Sequence, residues 1–273
     1  MNGTLITLAP TGAEHEVQRV PGLPITPEQL GDVAASCEHE GAGMIHVHAR
    51  DRAGQPSLDL GILSEHMDAV KASSDLIIQL STGGSVEDTF DDRVRVLELQ
   101  PESCSLTLGT VNFGTSTFMN PWGLIRSLYE AANSLHVMPE FEVFDLGHLW
   151  TLERLIDDVG PTWNGRVHVD FVLGVPGALP GTAQALTTLV ASLPDYVTSW
   201  SATGIGRSAL SVLLGTLAHE GNVRVGLEDT VWLAQGKPAT NAALVNRAAE
   251  AAILAQRPPL SPRQGRVLLG LVD

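Results

Sequence analysis

Eight times along this 273-residue chain, a short apolar run rich in β-branched residues gives way to a longer stretch with helical spacing. The runs are LITLAP (5–10), GMIHVHAR (43–50), LIIQLST (76–82), SCSLTLG (103–109), HVMPEFEVFD (136–145), RVHVDFVLG (166–174), DYVTSWSATG (195–204) and NVRVGLED (222–229). The helical stretches fall near 26–40, 59–73, 88–99, 121–133, 147–158, 182–192, 206–219 and 240–256. Alternation of this kind implies parallel strands, which can be joined only through crossovers. Eight such units at this length predict an α/β fold, a closed (β/α)8 TIM barrel, with an open doubly wound sheet as the alternative. Size alone allows one or two domains. Nothing reads as a linker, so the expectation is a single barrel domain over 1–273 with a C-terminal tail. That tail, RPPLSPRQGR (257–266) followed by VLLGLV, reads as a terminal helix packed on the barrel or on a neighbouring subunit.

Local signals agree with the alternation. Thr26-Pro27-Glu28 places a capping hydroxyl before a proline at the first helical position, and Asn120-Pro121 repeats the device. Gly41 and Gly221 stand where helices should stop.

Composition excludes several classes of function. There are 16 Lys+Arg against 31 Asp+Glu, a formal net charge of −15. A chain with that balance does not track a nucleic-acid backbone or dock on an anionic membrane surface. No run reaches the roughly 18 apolar residues of a membrane span, and the N-terminus lacks the basic start of a signal peptide. Cys37 and Cys104, far apart in a chain this long, read as reduced thiols and point to the cytoplasm.

In a barrel of this kind chemistry collects at the C-terminal ends of the strands. His46 and His48 stand at i and i+2 on the second run, so a strand presents both to the same side. Two adjacent imidazoles can share a metal ion; alternatively they are core histidines bonded to their neighbours. Glu228, on the eighth run, is the expected third ligand. The second and eighth strands flank the first, two strand spacings or about 10 Å apart. Glu14, in the loop after the first run, is the competing carboxylate. Arg224 and Asp229 form a second constellation, either a substrate and proton-transfer pair or a structural ion pair. Asp229 faces the opposite side on an ideal strand unless the strand end bends. Ser81-Thr82-Gly83-Gly84 resembles an anion cradle and equally resembles a plain strand-to-helix turn. His168 reads as a buried histidine more readily than as a site residue, and His148 stands where it could reach the rim.

The two lysines, Lys71 and Lys237, fall outside every predicted strand. A Schiff-base aldolase, or a two-metal site bridged by a modified lysine, needs one on a strand in the site. Single-metal chemistry on a carbonyl remains.

The ordered set HVHARD, QLSTGG, SLTLGTVNFG, PEFEVFD, GVPG, SATGIGR and VRVGLED resembles the β-keto acid cleavage enzymes, which include the 3-keto-5-aminohexanoate cleavage enzymes. The resemblance covers about 4–256. It implies a zinc-dependent TIM barrel, one Zn2+ per chain, that takes a β-keto acid and acetyl-CoA to acetoacetate and an acyl-CoA. Carried over by position, it places zinc on His46, His48 and Glu228. It places substrate contacts on Glu14, Ser81, Gly84 and Ser105, with Thr107 as the alternative to Ser105. Glu142 matches the second acid of the PExE motif, and Arg224 with Asp229 matches a proton-transfer pair. Relatives of this kind are homo-oligomers, so a dimer or tetramer is expected. A zinc aldolase or lyase acting on a keto acid without CoA is the rival reading; a zinc hydrolase and an inactive metal-binding barrel are more distant ones. Glu14 could meet a distal ammonium or trimethylammonium group. Arg50, Arg52, Arg207 and Arg224 are the cations near the strand ends available to a CoA phosphate.

Overall fold

The computed structural model describes residues 2–86 and 88–272. Its strands are β1 (Ile6–Leu8), β2 (Met44–Val47), β3 (Ile77–Leu80), β4 (Ser103–Thr107), β5 (Val111–Phe113), β6 (Ser116–Phe118), β7 (Met138–Val143), β8 (His168–Leu173), β9 (Ser199–Gly204), β10 (Asn222–Val225), β11 (Trp232–Ala234) and β12 (Lys237–Pro238). Its helices are α1 (Pro27–His39), α2 (Leu60–Ser73), α3 (Phe90–Arg95), α4 (Trp122–Leu135), α5 (Gly147–Val159), α6 (Ala183–Ala191), α7 (Ala209–Ala218), α8 (Asn241–Leu254) and α9 (Pro262–Leu269). Parallel pairing closes β1-β10-β9-β8-β7-β4-β3-β2 into a barrel, the (β/α)8 TIM-barrel architecture expected from the alternation. No helix among the described residues is long and apolar enough to cross a membrane.

Residues of alternating character build that closure. On β2, Ile45 and Val47 join the apolar layer beneath the helices. His46, between them, takes the opposite side of the strand. On β7, Phe141 and Val143 face outward in the same way, leaving Glu140 and Glu142 for the interior. The barrel centre is therefore polar. Asp170 accepts from Ser201 Oγ at 2.6 Å and Thr203 Oγ1 at 2.8 Å. His168 faces Glu140 at 3.2 Å and bonds Ser199 at 2.7 Å, as its buried reading required.

The tail closes the bottom of the barrel on this same chain. Leu260 and Leu269 pack on Leu5, Met44, Ile77 and Met138, the residues at the start of their strands. A capping box between Ser261 and Gln264, with Pro262 inside it, starts α9.

Local signals fared unevenly. Thr26 caps α1 through a capping box with Gln29. Asn120 does not cap α4: the cap position is Pro121, without a side-chain bond. The Asn120 amide instead donates to Gly109 O and Phe118 O, and its Oδ1 accepts from buried Arg93 at 2.6 Å. A buried guanidinium needing acceptors outcompetes a helix end that proline already relieves of one N–H.

Candidate active site

A cavity of about 360 Å³ opens at the C-terminal ends of the barrel strands. His46, His48, Glu142, Arg224, Glu228 and Asp229 line it, with Glu14, Ser81 and Gly84 on its wall.

The two imidazoles lie side by side, ring centroids 5.0 Å apart. Their Nε2 atoms stand 3.8 Å (His46) and 3.7 Å (His48) from Glu228 Oε1. One ligand atom from each of the three residues falls within 4.8 Å of the others. Gln79, directly opposite His46 in the β2–β3 register, holds its Nδ1 at 2.5 Å and leaves Nε2 facing the cluster. Burial, then Arg224, pushes the His46 imidazole down to about 4, so it is neutral and able to ligate. Burial works against a charged Glu228, but Arg224 and the two histidines hold it well below the usual carboxylate range. Its Oε2 is buried without a hydrogen-bond partner. A neutral His pair, an ionised carboxylate and an orphaned oxygen suit a borderline cation such as Zn2+.

Glu228 and Asp229 are not on a strand. β10 ends at Val225, and the expected run to 229 breaks at Gly226. A Cβ there would sit 1.9 Å from Ala9 O, so the chain just after β1 passes against bare backbone. The N–H groups of Asp229 and Thr230 both turn back to Gly226 O at 3.1 Å. That turn folds Asp229 inward, onto the side it would miss on an ideal strand. Gly12 holds the other side of Glu228: a Cβ at Gly12 would come 2.7 Å from Glu228 Cγ.

Arg224 joins three carboxylates. It donates from Nε and Nη2 to Asp229 at 3.3 and 3.0 Å, from Nη2 to Glu228, and from Nη1 to Glu142 at 3.4 Å. Burial favours the protonated form of Glu142, Arg224 opposes it, and the balance stands at about 7. Asp229 is raised by burial against the pull of Arg224. Three buried acids around one guanidinium are under-compensated, and a divalent cation at the histidines would bring the group to neutrality.

Of the other residues read from the sequence, Ser105 and Thr107 are buried and do not line the cavity. Thr107 donates to Glu142 Oε2 at 2.6 Å, and Ser105 O accepts from Thr82 Oγ1 at 2.7 Å. His148 does not reach the rim: it is buried, and its Nδ1 accepts from Phe144 N at 3.2 Å. Arg50 and Arg224 are not available to a CoA phosphate. Arg50 is buried and donates to Gly12 O, His15 O and Gly54 O, which ties down the Glu14 loop. Arg52 and Arg207 are exposed. In the Ser81-Thr82-Gly83-Gly84 segment, Gly83 N donates to Ser81 Oγ, and just past it Ser85 N donates to Asp88 Oδ2.

Sequence reading missed Gln79, His15 and the far wall. Gln79 was findable as the polar residue one strand over in register with His46. His15 lines the cavity and its Nε2 bonds Glu228 O at 3.1 Å, a contact across 213 positions with no local signal. The far wall is apolar: Phe113, Phe144, Val172, Val175 and Ile205.

Glu142 gives the site a stability signature. Its ordinary value of 4.5 applies unfolded and about 7 folded, so between these the unfolded chain has released a proton that the folded chain keeps. Stability of the metal-free protein therefore falls as pH rises from about 4.5 to 7, by about 3 kcal/mol from this group. Denaturant unfolding of Glu142→Gln should lose that share of the slope. An identical slope in both proteins would overturn the assignment.

A profile of the beta-keto acid cleavage enzyme family matches residues 4–271. The 3-keto-5-aminohexanoate cleavage enzyme of Acetoanaerobium sticklandii is 34% identical over 278 residues, covering 99% of both chains. The 3-dehydrocarnitine:acetyl-CoA trimethylamine transferase of Rhizobium meliloti is 32% identical over 89% of this chain and 88% of its own. Among solved structures, a ternary complex of ObcA with a C4-CoA adduct and oxalate superposes with a TM-score of 0.77 at 19% identity, over 92% of this chain and 68% of that one, and shares the fold.

Proposed function

This chain belongs to the beta-keto acid cleavage enzyme family, and we propose that it converts a β-keto acid and acetyl-CoA into acetoacetate and a new acyl-CoA, with one Zn2+ held by His46, His48 and Glu228. The observation that carries this is the linkage of that three-ligand cluster through one guanidinium, Arg224, to two raised carboxyls, Asp229 and Glu142, in a single cavity.

When bound, the metal supplies Lewis-acid polarisation of the substrate oxygens, which makes the α-proton of the keto acid removable near neutral pH. Asp229 accepts that proton on a carboxylate that Arg224 keeps oriented from two nitrogens. Arg224 stays a cation throughout, raised further by its acidic neighbours despite its burial. The α-carbon then bonds to the acetyl carbonyl carbon and the CoA thiolate leaves. The thiolate adds to the former keto carbon. The bond between that carbon and the α-carbon breaks, and its electron pair, with the proton returned from Asp229, completes acetoacetate. Glu142, with a value near neutrality, is a second proton carrier facing the cavity; Thr107 fixes it from behind. Ser81, Gly84 and Glu14 offer the wall against which the substrates lie, and Ser105 supports that wall through Thr82.

Exposed Leu210 and Leu214 on α7, and Ile253 and Leu254 on α8, support a homo-oligomer, a dimer or tetramer. The buried free thiols Cys37 and Cys104 support a reducing compartment, the cytoplasm.

Mass spectrometry after mixing the zinc-loaded protein, a keto acid and acetyl-CoA labelled in its acetyl group should find the label in acetoacetate. Cleavage of the keto acid without acetyl-CoA would favour the aldolase or lyase reading instead, and release of a free acid would favour a hydrolase.

A further inference from the structure

The His46–His48–Glu228 cluster occupies one side of the barrel mouth and an apolar wall the other. β2 and β10, which carry or lead into the ligands, flank β1. Across the closed sheet from them stand β4, β7 and β8. From that opposite arc come Phe113, Phe144, Val172 and Val175, with Ile205 following β9. Phe144, Val172 and Val175 are buried and form one cluster with Val111, against which Phe113 and Ile205 pack. The exposed lining residues, Glu14, Val86 and Trp232, mark the mouth. The apolar arc is thus the far wall of the same cavity.

We infer that this arc receives the chain beyond the keto carbon of the substrate, and that this chain is uncharged, alkyl or aryl; the inference rests on the β-keto acid reading above. A charge there would be desolvated without a partner. The five wall side chains carry no polar atom. The nearest ionisable groups, Glu142, Arg224 and Asp229, already engage one another, and His148 lies behind Phe144, bonded to its N–H. An ammonium group would look to an aromatic cage; Phe113 meets both Phe118 and Phe144 edge to face with centroids 6.3 Å apart, and Phe144 in turn meets His148 at 6.4 Å. The Phe118 face is already taken: the Arg93 guanidinium sits 4.7 Å from its centroid and would repel a second cation. An anionic tail fares no better. Arg93 directs its donors to Thr82 O, Met119 O and Asn120 Oδ1, and the cation on the cavity wall, Arg224, is already held by Asp229, Glu228 and Glu142. Glu14, the carboxylate that could have met a cationic tail, stands at the mouth.

Three six-carbon keto acids of matched length test this: 3-oxohexanoate, 5-amino-3-oxohexanoate with an ammonium, and 3-oxoadipate with a second carboxylate. Binding is read by calorimetry without acetyl-CoA, turnover by acetoacetate release. 3-Oxohexanoate should exceed both charged analogues in kcat/KM by at least about a hundredfold. Shortening its tail should cost about fourfold per methylene. Val172→Asp should lower kcat/KM for 3-oxohexanoate at least about tenfold and improve the relative standing of the ammonium analogue. Phe113→Ala, at a half-buried position that leaves the barrel intact, should shift preference toward a bulkier aryl tail. Acetoacetate release with a charged analogue preferred would overturn the pocket assignment and leave the reaction standing. Tighter binding of the uncharged acid without acetoacetate would support the pocket and overturn the reaction. An unchanged ranking in both variants, or no binding of any of the three, would overturn the pocket.

Discussion

Replacing His46 and His48 together by alanine, or Glu228 alone, should strip the metal from the purified protein and lower turnover by roughly a thousandfold or more, the several kcal/mol that Lewis-acid stabilisation contributes. The expectation follows from donor count. Three protein ligands plus an open position is a catalytic arrangement, and two ligands do not hold zinc against competing buffer. The fold should survive Glu228→Ala, because Arg224 keeps Asp229 and Glu142 as partners. Gln79→Ala should fall between, since freeing Nδ1 of His46 loosens the ring without deleting a ligand; losses of about 10- to 100-fold in metal affinity are usual for such partners. Elemental analysis and acetoacetate assays check all three. Full metal occupancy in the double histidine variant would move the site elsewhere.

Asp229→Asn should keep the metal and the fold yet lower kcat by about 10² to 10⁴, the usual contribution of a positioned general base. The amide preserves the shape and can still accept one bond from Arg224, so KM should move little. Arg224→Met is a different case. It leaves three buried carboxylates without their cation, and a cost of about 3–5 kcal/mol in stability is expected alongside lost activity. Paired kinetic and unfolding measurements separate base from support. An Asp229→Asn enzyme within tenfold of the parent would remove Asp229 from the proton path.

Much of this architecture was legible beforehand, for reasons that differ by element. The strands of 77–80 and 138–143 lie inside the expected runs because local composition and period fix them. The eighth run stops earlier than its apolar residues do, at Val225, where the backbone of Ala9, just past β1, packs against Gly226. The hairpins that bring Phe113 and Trp232 to the cavity carry only a glycine apiece, Gly114 and Gly236, as local sign of a turn. Asn120 had every local attribute of a cap, and a buried arginine 27 positions away claimed it.

Taken alone, the amino-acid order determined the eightfold alternation, the shared side of His46 and His48, and the absence of a lysine from the barrel strands, although Lys237 turns out to stand on the short outer strand β12. Each depends on neighbours a few positions apart, where backbone geometry has a fixed period. Tertiary structure decided the rest. It settled that Asp229 turns inward, that Arg50 braces a loop in place of holding a phosphate, and that the tail plugs its own barrel. It also decided that residues 113, 144, 172, 175 and 205 share one wall. Such outcomes depend on which distant groups compete for one volume and one set of hydrogen bonds, and closing the barrel sets that competition.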